Sequence, residues 1–223
     1  MLTRVIAALA LVPLFIFIVI GGIPLYIAEI VILAMALREF YKAFNAKDIH
    51  PIENIGYIFI AYMGLKNILN LGVEYTYIMI FVLFIYSITY LLRCKNNVID
   101  IAITFFSIFY VAISIDFIVL TINSFERGAI YVWTIFIVAF LTDTFAYFTG
   151  YLFNWDMTAM VIIGSIGSIV AQFGDLFASS IKRYVGIKDY GKLIPGHGGV
   201  LDRFDSVILV APFVYYAIII FSK

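Results

Sequence analysis

The chain is poor in the residues that most soluble activities depend on. It has one cysteine, Cys94, which excludes a disulfide framework and a cysteine metal cluster. That lone thiol is expected to be buried or interfacial. Only 13% of residues are charged, about half the share of an ordinary globular domain. Lys plus Arg equals Asp plus Glu at 14 each, so no net field draws polyanions, and a nucleic-acid-binding domain is excluded. The sequence has no Walker A motif, no G-x-G-x-x-G after a strand pattern and no H-E-x-x-H, so soluble nucleotide-binding folds and zincin-type proteases are excluded as well. Linkers, repeats and low-complexity tracts are also missing.

What fills the chain is apolar surface. Hydrophobic residues make up 65% of its 223 positions and mean hydropathy is +1.10. A soluble fold of this size has too little interior to hide so much, so the solvent must be lipid. Apolar stretches at 5–20, 23–37, 52–71, 74–92, 98–122, 129–150, 157–180 and 206–221 read as membrane helices, most near the ~20 residues needed to cross the hydrocarbon. Backbone polar groups at that depth must be paired internally, and the runs do not alternate as barrel strands do. The expected fold is therefore all-α: a polytopic transmembrane bundle of about eight helices in one integral-membrane domain. Residues 1–128 supply its N-terminal helices, and 129–223 hold the chemistry. The first run, after Arg4, reads as a retained helix because no A-x-A-like cleavage site follows.

Lys and Arg gather at 38–51 and 93–97, which places those breaks in the cytoplasm by the positive-inside rule. The count then fails. Crossing at 157–180 would put Lys182, Arg183, Lys188, Lys192 and Arg203 outside. Either one stretch does not span, or something is missing between 151 and 157.

Asp116, Asp143 and Asp175 lie within apolar segments, where a carboxylate is costly and marks a candidate site. Asp116 stands alone and reads as a helix end. Asp143, Tyr147 and Gly150 share a helical face. Gly164, Ser168, Ala171, Asp175 and Ser179 form a stripe of mostly small residues that ends in an acid and a hydroxyl. The densest chemistry follows at 179–205. Five cations, the glycines at 191, 196, 198 and 199, His197, and the acids Asp189, Asp202 and Asp205 lie together there. Asp202 and Asp205 would be one turn apart if a helix has begun. Cations, approachable amides and paired acids suit a phosphate–metal complex. A basic loop touching anionic lipid headgroups needs only the cations.

The segment resembles the signature of the phosphatidate cytidylyltransferase (CDP-diacylglycerol synthase) family: S-x-x-K-R, four residues, K-D, a small residue, P-x-H-G-G and D-R-x-D. The matching positions are Ser179, Lys182, Arg183, Lys188, Asp189, Gly191, Pro195, His197, Gly198, Gly199, Asp202, Arg203 and Asp205. Gln172 to Asp175, Asp143 to Gly150 and, less specifically, Arg4 and Arg38-Glu39-Phe40-Tyr41 extend the likeness. The resemblance implies CMP transfer from CTP to phosphatidate, with release of pyrophosphate and formation of CDP-diacylglycerol. It implies that Asp175 and Asp202 hold Mg²⁺, with a second, monovalent cation as an option. Lys182, Arg183 and Asp205 are the expected catalytic group. Asp143, Ser179, Lys188, Asp189, His197, Gly198, Gly199 and Arg203 are expected to bind substrate. The implied partners are CTP, phosphatidate and membrane lipids, with a homodimer as an option. The implied location is the cell (inner or plasma) membrane, with the signature loop on the cytoplasmic side. One departure coincides with the failed charge count. Family members continue after the Asp143–Gly150 motif through a basic S-P-K-K-T-x-E-G-like segment and another helix, whereas Asn154-Trp155-Asp156 runs straight into Met157. That gap supports a second reading, a catalytically impaired lipid-binding or partner subunit, and the intramembrane acids Asp116, Asp143 and Asp175 leave a third, a transporter that they would line.

Overall fold

The computed structural model describes residues 16–140, 157–191 and 198–221. They form helices, with no strand among the described residues. In chain order these are α1 (Gly22–Asn45), α2 (Glu53–Leu69), α3 (Val73–Leu92), α4 (Val98–Ser107), α5 (Ser114–Ser124), α6 (Gly128–Phe140), α7 (Met157–Val185) and α8 (Leu201–Phe221), and a π-helical stretch, Ile108–Ile113, joins α4 to α5. Among the described residues, four stretches are long and apolar enough to cross a membrane: Val73–Leu92, Val98–Ser124, Ile162–Val185 and Leu201–Phe221. The all-α membrane architecture therefore stands. The stretches 5–15 and 141–156, with Asp143, lie outside the described residues, as does the expected break after Asn154.

The chain groups into two compact units, one of residues 1–113 with 182–202 and the other of 114–181 with 203–223. In the first unit α1 is the central element. Its apolar run stops at Leu37, but the helix continues to Asn45 because Phe40, Tyr41, Ala43 and Phe44 carry on the face begun by Leu33, Ala36 and Leu37, all buried. Tyr41 lies against Gly56 of α2, where any side chain would collide with its hydroxyl, and it accepts a hydrogen bond of 2.9 Å from Ser107 Oγ. Phe40 packs among Phe44, Phe106 and Tyr110 and stacks on Tyr190 at 6.3 Å. The start of α4 is fixed by a capping box. Asn97 Oδ1 accepts the Asp100 amide, and Asp100 accepts the Asn97 amide, both at 2.9 Å. By contrast α3 leaves Tyr77, Phe81, Val82 and Phe84 exposed, as lipid-facing residues require. Cys94 lies in the turn after α3 and is exposed rather than buried.

In the second unit α7 and α8 meet closely. A Cβ on Gly174 would stand 2.9 Å from the Asp205 carbonyl oxygen, and one on Gly167 would strike Val138 and Phe213. Small residues at such positions let helix backbones approach. Asp116 stands in the first turn of α5, just past the π-helical stretch, and is buried within the continuous span Val98–Ser124. π-bulges recur at functional positions in helices.

Candidate active site

The signature segment builds a carboxylate-centred loop in the first unit. Lys182 and Arg183 occupy the last turn of α7, where cations complement the helix dipole. That turn is tied to the turn after α1 by Lys47, whose Nζ donates to the Tyr184 carbonyl at 2.6 Å and lies 4.5 Å from the Tyr184 ring centre. Asp202 stands in the first turn of α8. Its Oδ2 accepts the amides of Tyr190 and Gly199 at 2.9 Å each and that of Gly191 at 3.4 Å. Asp202 Oδ1 receives the Lys182 ammonium at 3.1 Å, with 14% of the lysine side chain and 6% of the aspartate side chain exposed. Lys182 Nζ also lies 5.5 Å from the Tyr190 ring centre.

Glycine is required here on two counts. Gly198 has φ +82°, a left-handed conformation, and a Cβ there would stand 2.7 Å from Asp202 Oδ2. Gly191 and Gly199 both face the Glu39 carboxylate, which occupies the space that side chains would need. Glu39 lies two residues past the apolar stretch 23–37. Its Oε1 accepts the Val200 amide at 3.0 Å and its Oε2 the Leu201 amide at 2.9 Å. Burial pushes the Glu39 carboxyl above its ordinary range, the two amides pull it back, and the charge of Asp202 adds to the rise.

The model of the cytidylyltransferase family matches residues 2–156 and 153–221. The chain belongs to the cytidylyltransferase family. A phosphatidate cytidylyltransferase of Staphylococcus haemolyticus is 27% identical over 254 residues, covering 95% of each chain. One from Staphylococcus saprophyticus is 32% identical over 164 residues, covering 56% of this chain and 62% of its own. One from Bacillus subtilis is 46% identical over 63 residues, covering 28% and 23%. The family match is broken at 153–156, where the sequence reading places a gap. The S. haemolyticus alignment runs over 254 residues, while 95% of this 223-residue chain is about 212, so about 40 aligned positions have no counterpart here.

Those expected site residues that lie among the described residues fall into three groups. Lys182, Gly198, Gly199 and Asp202 come together around one carboxylate, and Asp202 and Asp205 lie one turn apart on α8. Arg183, Lys188 and Asp189 are exposed beside them in sequence. Asp175, Ser179, Arg203 and Asp205 belong to the second unit. There Asp205 Oδ1 accepts its neighbour's amide, Ser206 N–H, at 2.9 Å. Asp143 and His197 lie outside the described residues. The stripe on α7 turns relative to its expected register: between 164 and 178 the buried positions are Gly164, Gly167, Ala171, Gly174 and Ala178, which leaves Asp175 exposed beside the packing face. Sequence reasoning passed over Glu39 as a site residue, although it sits in a short motif that resembles the family.

Donor chemistry for a divalent ion is present. Mg²⁺ is usually held by one or two carboxylates together with substrate phosphates. Asp202 turns Oδ1, the oxygen clear of backbone amides, toward positive charge, here the Lys182 ammonium. Among the described residues no group of three His, Cys, Asp or Glu side chains could by itself enclose a metal.

Proposed function

We propose that this membrane protein transfers CMP from CTP to phosphatidate, forming CDP-diacylglycerol and pyrophosphate. A phosphate oxygen of phosphatidate attacks the α-phosphorus of CTP, the bond from that phosphorus to the bridging oxygen breaks, and pyrophosphate leaves with the electron pair. The nucleophile is already anionic at neutral pH, so no strong base is needed and catalysis rests on alignment and charge neutralisation. The observation that carries the reading is the Asp202 carboxylate, locked by three amides and presenting one oxygen to a cation.

In this reading Lys182, Arg183 and Arg203 neutralise phosphate oxygens. Asp205 completes the catalytic group, and Ser179, Lys188, Asp189, Gly198 and Gly199 shape the pocket around the nucleotide, together with Asp143 and His197. Asp175 and Asp202 hold Mg²⁺, which when bound supplies electrophilic stabilisation of phosphate charge; a monovalent cation beside it is a further element of the reading. Because Lys182 Nζ occupies Asp202 Oδ1, the lysine hands that oxygen over when substrate phosphates take up its charge. The signature loop faces the cytoplasm, where CTP is, from the cell membrane, and a homodimer is a further element of the reading.

The gap at 153–156 favours a second reading, a lipid-binding partner subunit with impaired catalysis. Incubation of the purified chain in phosphatidate vesicles with CTP and Mg²⁺, followed by mass spectrometry of the lipids, separates the two. CDP-diacylglycerol supports the transferase, and unchanged phosphatidate from a folded protein favours the partner subunit.

A further inference from the structure

The first N–H groups of an α-helix have no intrahelical acceptor and are normally capped by a nearby Ser, Thr, Asp or Asn side chain. Gly199 and Val200, which precede α8, have no such group. The acceptor comes instead from 161 and 162 residues away: each Glu39 oxygen takes one of the two amides, Val200 and Leu201. A two-point contact fixes both the distance and the rotation of the helix start relative to α1. The next residue, Phe40, stacks on Tyr190, so consecutive residues of α1 grip both ends of the loop. Gly191 and Gly199 complete the fit, since a side chain at either would enter the volume of the Glu39 carboxylate.

We propose that Glu39 is a positioning residue for nucleotidyl transfer: a long-range cap on α8 that sets where the Asp202 carboxylate stands. Asp202 directly follows Leu201, so the tether acts one peptide unit from the carboxylate it places. Glu39 itself touches backbone, and its effect reaches the reaction through the loop. This inference rests on the transferase reading for its kinetic consequence but not for its structural one.

The test uses the full chain in lipid nanodiscs with four variants: Glu39→Gln, Glu39→Ala, Gly199→Ala and the double variant Glu39→Ala/Gly199→Ala. Glu39→Gln keeps the size but loses the charge, and it replaces one acceptor oxygen with a donor. Amide exchange at 198–204 is expected to accelerate at least tenfold in Glu39→Gln, with exchange from Val207 onward unchanged. The kcat for CMP transfer is expected to fall at least tenfold, while KM for phosphatidate changes less than twofold. Gly199→Ala is expected to cost far more in the wild-type background than in Glu39→Ala, because the colliding carboxylate is then gone. Unchanged exchange at 198–204, acceleration spread over the whole chain, or additive effects of the two alanine substitutions would each overturn the proposal. If the wild-type chain makes no CDP-diacylglycerol, the transferase reading fails, and the exchange and double-variant stability data still decide whether Glu39 caps α8.

Discussion

Replacing Asp202 with Asn changes one atom in the side chain and reverses the logic of the loop. The carboxylate accepts four contacts: three backbone amides on Oδ2 and the Lys182 ammonium on Oδ1. An asparagine has one acceptor oxygen. If that oxygen faces the amides, the new NH₂ group points at Lys182; if it faces Lys182, the NH₂ group points at three N–H donors. Hydrogen bonds to a charged group contribute about 1.5–3 kcal/mol each and neutral ones about 0.5–1.5 kcal/mol, so loss of the charge weakens each surviving bond by about 1 kcal/mol. The 3.4 Å Gly191 contact is long and counts for less. Lys182 retains some solvent contact, which lowers the penalty of leaving it unpaired below that of a fully buried pair. The local cost comes to about 2–4 kcal/mol, and if all of it is expressed in the transition state the rate falls about 30- to 1,000-fold. If Asp202 also holds the proposed Mg²⁺, this is a lower bound. CMP transfer from labelled CTP, measured beside membrane insertion and gel-filtration profile, checks it. An Asp202→Asn protein that inserts normally and keeps more than a tenth of wild-type turnover would refute the central role given to this carboxylate.

Other outcomes follow from the same geometry. Gly198→Ala places a Cβ 2.7 Å from Asp202 Oδ2 at φ +82°; turnover is expected to fall by tenfold or more with insertion intact, and an unchanged rate would show that the loop relaxes freely. Lys182→Met removes the ammonium at Oδ1 and is expected to raise KM for CTP, whereas an unaltered KM would exclude the lysine from phosphate binding. Gly174→Leu would force α7 from α8 at the Asp205 carbonyl, and a lower thermal midpoint in detergent is the expected readout. Insertion of the S. haemolyticus segment at the 153–156 break is expected to raise turnover, and no gain would show that the missing stretch is dispensable here.

Much of this site could be read from sequence because its spacing is local. Asp202 and Asp205 are three positions apart, and helical periodicity alone brings them together once α8 begins. Lys182 and Asp202 lie 20 residues apart within one motif. Glu39 was legible only as part of a weak motif. At the end of an apolar run it reads as a solvated charge, and its partners are backbone amides, which carry no residue identity. The end of α1 was placed too early for a related reason: polar Arg38 and Glu39 interrupt the hydropathy, but Phe40, Tyr41 and Phe44 continue the buried face. On α7 the expected stripe took mostly four-residue steps. A helix of 3.6 residues per turn drifts away from such steps, and alternation of three and four gives the observed buried set of 164, 167, 171, 174 and 178. The exposure of Asp175 follows from that drift.

The position of the label in the substrate tests the account most directly. The full chain in phosphatidate vesicles with Mg²⁺ would be given CTP labelled at either the α- or the γ-phosphate. Nucleotidyl transfer predicts that α-label enters the lipid fraction and γ-label appears in pyrophosphate. Label from the γ position in lipid, or none from either position with a folded protein, would contradict it.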